Sequence, residues 1–204
     1  MHGILFFSEA FTMTKENKKT IRLVQKAMLT SLAVVLMLTV RFPLLPGAKF
    51  LEYDMGDVPV IIATLFFGIP SGAIILTAEA LVQALTVSAA SSWEGFVMHV
   101  LSSCLFLVIT YLFYSAGKKR EKEKPMLFIG LVISALATAA VMIPLNLIFT
   151  PMYLGVPVQA VKEMMLPVIV PFNLMKGAIN AAVSFILFLP LKKILKKTHL
   201  LSVE

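Results

Sequence analysis

Long apolar runs alternate with short polar stretches along almost the whole chain. Six of these runs read as helical spans, over residues 24–40, 58–69, 71–87, 95–116, 126–149 and 167–190. A helix needs about 20 apolar residues to cross a bilayer. The second run has only about 12 and ends at Gly68-Ile69-Pro70, so it is too short to cross upright. It is either shielded by neighbouring helices or bends directly into the third.

The last run, PVIVPFNLMKGAINAAVSFILFLP, is interrupted by Asn173, Lys176 and Asn180. At 3.6 residues per turn these share one face with Gly177 and Ser184. An ammonium near mid-membrane is costly, about 2.5–3.5 kcal/mol on insertion scales, so this face is expected to look into a protein cavity or at a polar ligand. The plainer reading is helix glue, with the amides bonding neighbouring helices and Lys176 snorkelling to water. The third run carries Glu79 and Gln83, four apart on one face. A carboxylate there pairs inside the bundle (with Lys176 as a candidate), binds a ligand or carries protons.

The 41–57 stretch, RFPLLPGAKFLEYDMGD, is long for a helix connection and holds Lys49, Glu52, Asp54 and Asp57 between aromatic residues. Such loops are often lids or binding loops. Gly56-Asp57 ahead of Val58-Pro59 reads as a helix start with Asp57 as its cap. The 150–166 loop holds Tyr153, Lys162 and Glu163. In the first run Ala27 and Ser31 form a small-residue pair, suited to packing within the protein or to docking a second membrane protein. SALATAA in the fifth run is another close-packing face, and Pro144 loosens the backbone after it.

Composition agrees with a membrane protein. The 204 residues are 59% hydrophobic with a mean hydropathy of +0.92, against roughly 45–50% apolar in a soluble domain. The net charge of +7 sits in Lys15–Lys26, Lys118–Lys124 and Lys192–Lys197 clusters, each abutting an apolar run. That placement follows the positive-inside rule and argues against nucleic acid. With six spans all three clusters fall on one side. The expected fold is therefore all-α, with six transmembrane helices, both termini cytoplasmic and a long first external loop. Residues 1–204 form a single membrane domain, with 1–14 as a disordered or non-essential head. Cys104 excludes an internal disulfide, and it reads as a buried spectator.

Catalytic chemistry is sparse. There is no phosphate-binding G-x-x-x-x-G-K-[ST], no H-E-x-x-H and no G-x-S-x-G. His99 has no metal-spaced partner and reads as an interfacial or packed histidine. What remains is an outer pocket from Asn146, Asn173, Lys176 and Asn180, with residues 49–57 able to close over it. Amides donate and accept, so such a pocket suits a flat neutral molecule better than an anion.

LEYDMGDVP after the first run, FFGIPSGA at the second turn and PFNLMKGAINAA in the last occur in that order across a small six-run chain. Together they resemble the substrate-binding S component of energy-coupling-factor (ECF) vitamin transporters, its riboflavin-specific branch most of all. The resemblance spans residues 15–197. It implies a cell-membrane protein, without a cofactor of its own, that captures riboflavin from outside. The expected partners are a membrane-embedded coupling subunit and two cytoplasmic ATPases. It implies that the first loop is the lid and that Ala27 and Ser31 lie at the docking position, where the family's Ala-x-x-x-Ala reads Ala-x-x-x-Ser. It further implies Leu51, Glu52, Asn146, Asn173, Lys176 and Asn180 in the pocket, with Glu79 or Gln83 serving the ribityl hydroxyls. The rivals are the same architecture for another vitamin, a stand-alone proton-coupled carrier using Glu79 and Lys176, and a membrane enzyme. The last is disfavoured by the missing catalytic groups.

Overall fold

The computed structural model describes residues 15–46, 48, 50–89 and 92–197. The 1–14 head and Lys49 lie outside the described residues. The helices are α1 (Lys15–Thr39), α2 (Asp57–Phe67), α3 (Ile69–Leu85), α4 (Ser92–Lys119), α5 (Glu123–Leu154), α6 (Val158–Met164) and α7 (Val170–Lys197). All six apolar runs are helical. Among the described residues, four helical stretches are long and apolar enough to cross a membrane: Lys19–Thr39, Trp93–Lys119, Glu123–Leu154 and Val158–Lys197. Helices α2 and α3 are shorter.

Both expectations for the short second run hold at once. Gly68 stops α2 with φ at 86°, a left-handed value that glycine adopts freely, and α3 begins at the next residue. The two helices then pack so closely that a Cβ on Gly72 would lie 1.8 Å from Thr64 Oγ1. Residues 57–65 are buried without interruption, because α2 runs through the centre of the bundle against α1, α3, α4 and α7. A short helix surrounded by protein does not have to match the bilayer thickness.

The main core joins Ala33 of α1, Val60 and Leu65 of α2, Leu76 of α3, Phe106 of α4, Leu131 of α5 and Phe188 of α7. Helix α5 runs unbroken through Pro144 and Pro151 and ends at Gly155 in a left-handed conformation. The 150–166 stretch is not a loop. Its first part belongs to α5, and α6 continues through a single π-helical segment, Met165–Ile169, into α7. Pro167 sits in that segment, where a proline's missing N–H is tolerated by the widened turn.

The 41–57 stretch contains secondary structure that its composition did not announce. Strand β1 (Arg41–Pro43) pairs antiparallel with β2 (Glu52–Asp54), with Phe42 opposite Tyr53. Their rings meet at 5.5 Å between centroids, a cross-strand aromatic pair that helps a short ribbon hold its register. Tyr53 and Asp54 are each 2% exposed, so this hairpin is packed onto the bundle.

Candidate functional site

The polar face anticipated on α7 points inward: Asn173, Gly177, Asn180 and Ser184 are all buried. A cavity of about 170 Å³ opens beside it. Helix α7 supplies Asn173, Lys176 and Asn180, α3 supplies Gln83, and the hairpin supplies Glu52 and Asp54. Aromatic walls come from Phe96 on α4, Tyr153 on α5 and Phe172 on α7.

Lys176 is held by two carboxylates. Its Nζ lies 3.4 Å from Asp54 Oδ2 and 3.3 Å from Asp57 Oδ2. Asp57 is not the helix cap that its position suggested, since Gly56 occupies that place without a side-chain bond. The Asp57 carboxylate instead accepts from Ser103 Oγ at 2.9 Å and from Asn180 Nδ2 at 3.1 Å. Asp54 accepts from Gln83 Nε2 at 3.1 Å and from the Gly56 amide at 3.1 Å. A buried charge is tolerable when paired and hydrogen-bonded in this way. Tyr53 donates to Asn180 Oδ1 at 3.1 Å. Burial pushes its phenol up to about 12, so it is a neutral donor at ordinary pH.

Glu79 does not pair with Lys176 in this arrangement. It is fully buried on α3, with Oε2 3.2 Å from His99 Nε2. His99 is thus packed rather than interfacial, and also lies 3.7 Å from Asp57 Oδ1. Among the described residues Glu79 Oε1 has no hydrogen-bond partner, and it lies where a Cβ on Gly56 would come within 2.7 Å. Nearer the hairpin, Arg41 ion-pairs with Glu52 and donates to Ser88 Oγ at 3.4 Å.

The structure therefore gathers Glu52, Gln83, Asn173, Lys176 and Asn180 around one cavity. It sets the other three expected residues apart from the lining. Leu51 packs in a second apolar cluster with Val161, Met165, Ile169 and Phe172. Asn146 is fully buried, donates to Met142 O at 2.7 Å and accepts from Thr150 Oγ1 at 2.8 Å, so its amide serves its own helix. Glu79 lies behind the lining, bonded to His99, which does face the cavity. Asn173 shows both behaviours: it lines the cavity and donates to Ile169 O at 2.8 Å. Sequence reasoning missed Asp54, Asp57, Tyr53 and Ser103. A signal was available, because three acidic residues in a stretch preceding an apolar helix need a cation, and Lys176 is the intramembrane one.

Ala27 and Ser31 do not pack within this protein. Both face outward on α1, beside exposed Leu23, Met28 and Val35. The Ser31 hydroxyl turns back to Ala27 O at 3.0 Å, which leaves the surface smooth and apolar.

Comparison with known proteins places these features in context. A family model described as ECF transporter, substrate-specific component, matches residues 21–188. The riboflavin transporter RibU of Lactococcus lactis subsp. cremoris is 33% identical over 66% of this chain. The alignment spans 65% of that relative's length, so this chain matches just under two thirds of it. The riboflavin transporter FmnP of Bacillus subtilis is 32% identical over 85% of this chain and 93% of its own. A solved structure, the S component of a bacterial ECF transporter, superposes with a TM-score of 0.73 at 28% identity. That superposition covers 87% of this chain and 99% of the other. ThiT from Listeria monocytogenes superposes with a TM-score of 0.54 at 18% identity over 82% of this chain and 95% of its own, a likeness of fold alone.

Proposed function

The chain belongs to the substrate-specific components of ECF transporters, and from that membership we propose that it captures riboflavin and delivers it for ATP-driven uptake. It is a multi-pass protein of the cell membrane. The observation that carries the ligand reading is the two-sided cavity. Amide and ammonium donors and carboxylate acceptors face it from α7, α3 and the hairpin, hydroxyls face it from Ser102 and Ser103 on α4, and Phe96, Phe172 and Tyr153 face it as rings. A flavin ring system has one apolar edge and one edge of alternating donors and acceptors, and its sugar-alcohol tail carries hydroxyls. The chemistry matches on both sides, and riboflavin transporters among its relatives support the same choice.

The cavity of about 170 Å³ is smaller than the roughly 300–1,000 Å³ of typical small-molecule sites. In this reading the hairpin is the lid, and it lifts to admit the ligand. It is held to α7 and α3 by three polar contacts, Tyr53 to Asn180, Asp54 to Lys176 and Asp54 to Gln83, and by the apolar cluster that Leu51 shares with Phe172. We take the six helical runs as six crossings, with α2 reaching across through the protein interior and α3 beside it with one apolar face exposed, and the basic ends as cytoplasmic. Leu51, Asn146 and Glu79 then support the pocket from behind. The outward Ala27–Ser31 surface is the docking face for a membrane-embedded coupling subunit, itself joined to two cytoplasmic ATPases. As a binding and transport subunit the chain performs no catalysis.

Titration of detergent-purified protein with riboflavin tests this directly. Saturable quenching of flavin fluorescence at near-equimolar ratio is expected. Absence of quenching, with thiamine or another vitamin shifting thermal stability instead, keeps the family and overturns the ligand. A second reading draws on the buried Glu79–His99–Asp57 chain, which has the groups a proton relay needs. Uptake by vesicles that contain this chain alone, abolished by collapsing the proton gradient, would select a self-sufficient carrier.

A further inference from the structure

Helices α5 and α7 run antiparallel, with Phe128 packed edge-on against Phe185 at 5.7 Å. Toward their middle they approach closely, and a Cβ on Gly177 would meet Ala135 Cβ at 3.0 Å. Between these contacts lies an open groove of about 470 Å³. Its floor is Leu131, Ala135 and Ala181, and its rims include Val132, Leu136 and Ile186. The rim residues are exposed, at 40%, 57% and 65% respectively, and the lining is almost wholly apolar.

The groove has a charged mouth. Glu123 and Lys192 ion-pair and thereby clamp the start of α5 to the end of α7. Lys192 also donates to Tyr114 at 3.0 Å, so its charge is spent inside the protein. The next residue on each helix is a different case. Lys124 and Lys193 are both exposed, and neither makes an ion pair among the described residues. At 3.6 residues per turn Lys124 lies in line with Leu131 and Ala135, and Lys193 in line with Ala182 and Ile186. Two ammonium groups therefore stand over one end of an apolar trough, with flexible stems that can follow its surface. Lys196 and Lys197 extend the same positive field.

We propose that this groove is a binding site for an anionic phospholipid of the surrounding leaflet. One acyl chain lies along Leu131, Ala135 and Ala182, and the phosphodiester sits between Lys124 and Lys193. The charge complementarity selects the occupant. A second apolar helix would fill the trough but would bring no anion to the two lysines. An anionic lipid satisfies both parts at once.

Native mass spectrometry of the full chain, released from detergent with equal amounts of dioleoyl phosphatidylglycerol or dioleoyl phosphatidylcholine, tests the site. The phosphatidylglycerol adduct is expected to be at least fivefold more abundant. Lys124→Gln with Lys193→Gln should bring the two lipids within twofold of each other. Ala182→Phe places a ring in the trough from an exposed position and should remove most of the retained phosphatidylglycerol. Ala182→Leu serves if the larger side chain lowers the thermal midpoint. Equal binding of the two lipids by the unmodified chain overturns the proposal. So does an undiminished phosphatidylglycerol preference in a folded Ala182 variant, which would leave the groove to a protein helix.

Discussion

Tyr53 donates to the Oδ1 of Asn180 across 3.1 Å and joins the hairpin to α7 over 127 residues of sequence. The bond is buried and neutral, so salt does not screen it. Removing it with Tyr53→Phe leaves the Asn180 oxygen without this donor at a cost of about 1 kcal/mol. The expected outcome is riboflavin release about fivefold faster, read by stopped-flow fluorescence, with little change in association. Unchanged release would mean that this tether does not hold the lid.

The same residue sets an alkaline signature. The Tyr53 phenol is raised from 10.0 to about 12 by burial, so the folded state holds its proton more tightly than the unfolded chain. That contribution is fully present below pH 10 and is lost as pH rises through 12. From pH 5 to 9 the two proteins should therefore differ by a constant offset, the lost hydrogen bond, whereas the fall between pH 10 and 12 should be shallower in Tyr53→Phe. Parallel curves for the two proteins would place the phenol in contact with water.

Lys176 balances Asp54 and Asp57 at 3.4 and 3.3 Å. Lys176→Ala leaves both carboxylates buried without their cation, a loss of roughly 3–5 kcal/mol when one side of a buried pair is removed. Riboflavin affinity should fall at least tenfold and the thermal midpoint should drop. Adding Asp54→Asn to Lys176→Ala should recover part of the stability by removing one of the stranded charges. If affinity is unchanged in Lys176→Ala, the ammonium belongs to the scaffold and not to the ligand.

Gly72 faces Thr64 with no room for a methyl group, since its Cβ would lie 1.8 Å from the hydroxyl and 2.9 Å from Thr64 Cβ. Gly72→Ala should destabilise by about 1–3 kcal/mol or more through overpacking of the α2–α3 turn. Thr64→Ala in the same protein should restore part of that loss. No interaction between the two changes in a double-mutant cycle would mean that the helices separate freely there.

Ala27 and Ser31 lie on the outward surface of α1. Ala27→Leu with Ser31→Leu keeps that surface apolar but raises it, so the folded protein should bind riboflavin normally. Uptake should be abolished once the chain is assembled with the coupling subunit and ATPases proposed for it. Normal uptake would move the docking face elsewhere.

The apolar runs, the basic clusters beside them and the inward face of α7 were legible in the residue order, because each depends on local periodicity or on hydropathy over one helix length. Asn173, Gly177, Asn180 and Ser184 turn inward as their spacing required. The short second run was visible too, but only packing showed that α2 is central and shielded. The ion-pair partners were not legible. Asp57 looked like a helix cap, and Glu79 was expected to pair inside the bundle with Lys176 only as a candidate; Asp57 and Asp54 hold the lysine, and Glu79 pairs inside the bundle with His99. Asn146 looked equivalent to Asn173 and Asn180, but its amide closes on its own helix. Periodicity fixes which way a side chain faces along its own element. Which charge it meets depends on how far the elements slide and rotate against one another, and that is settled by packing between residues far apart in the chain.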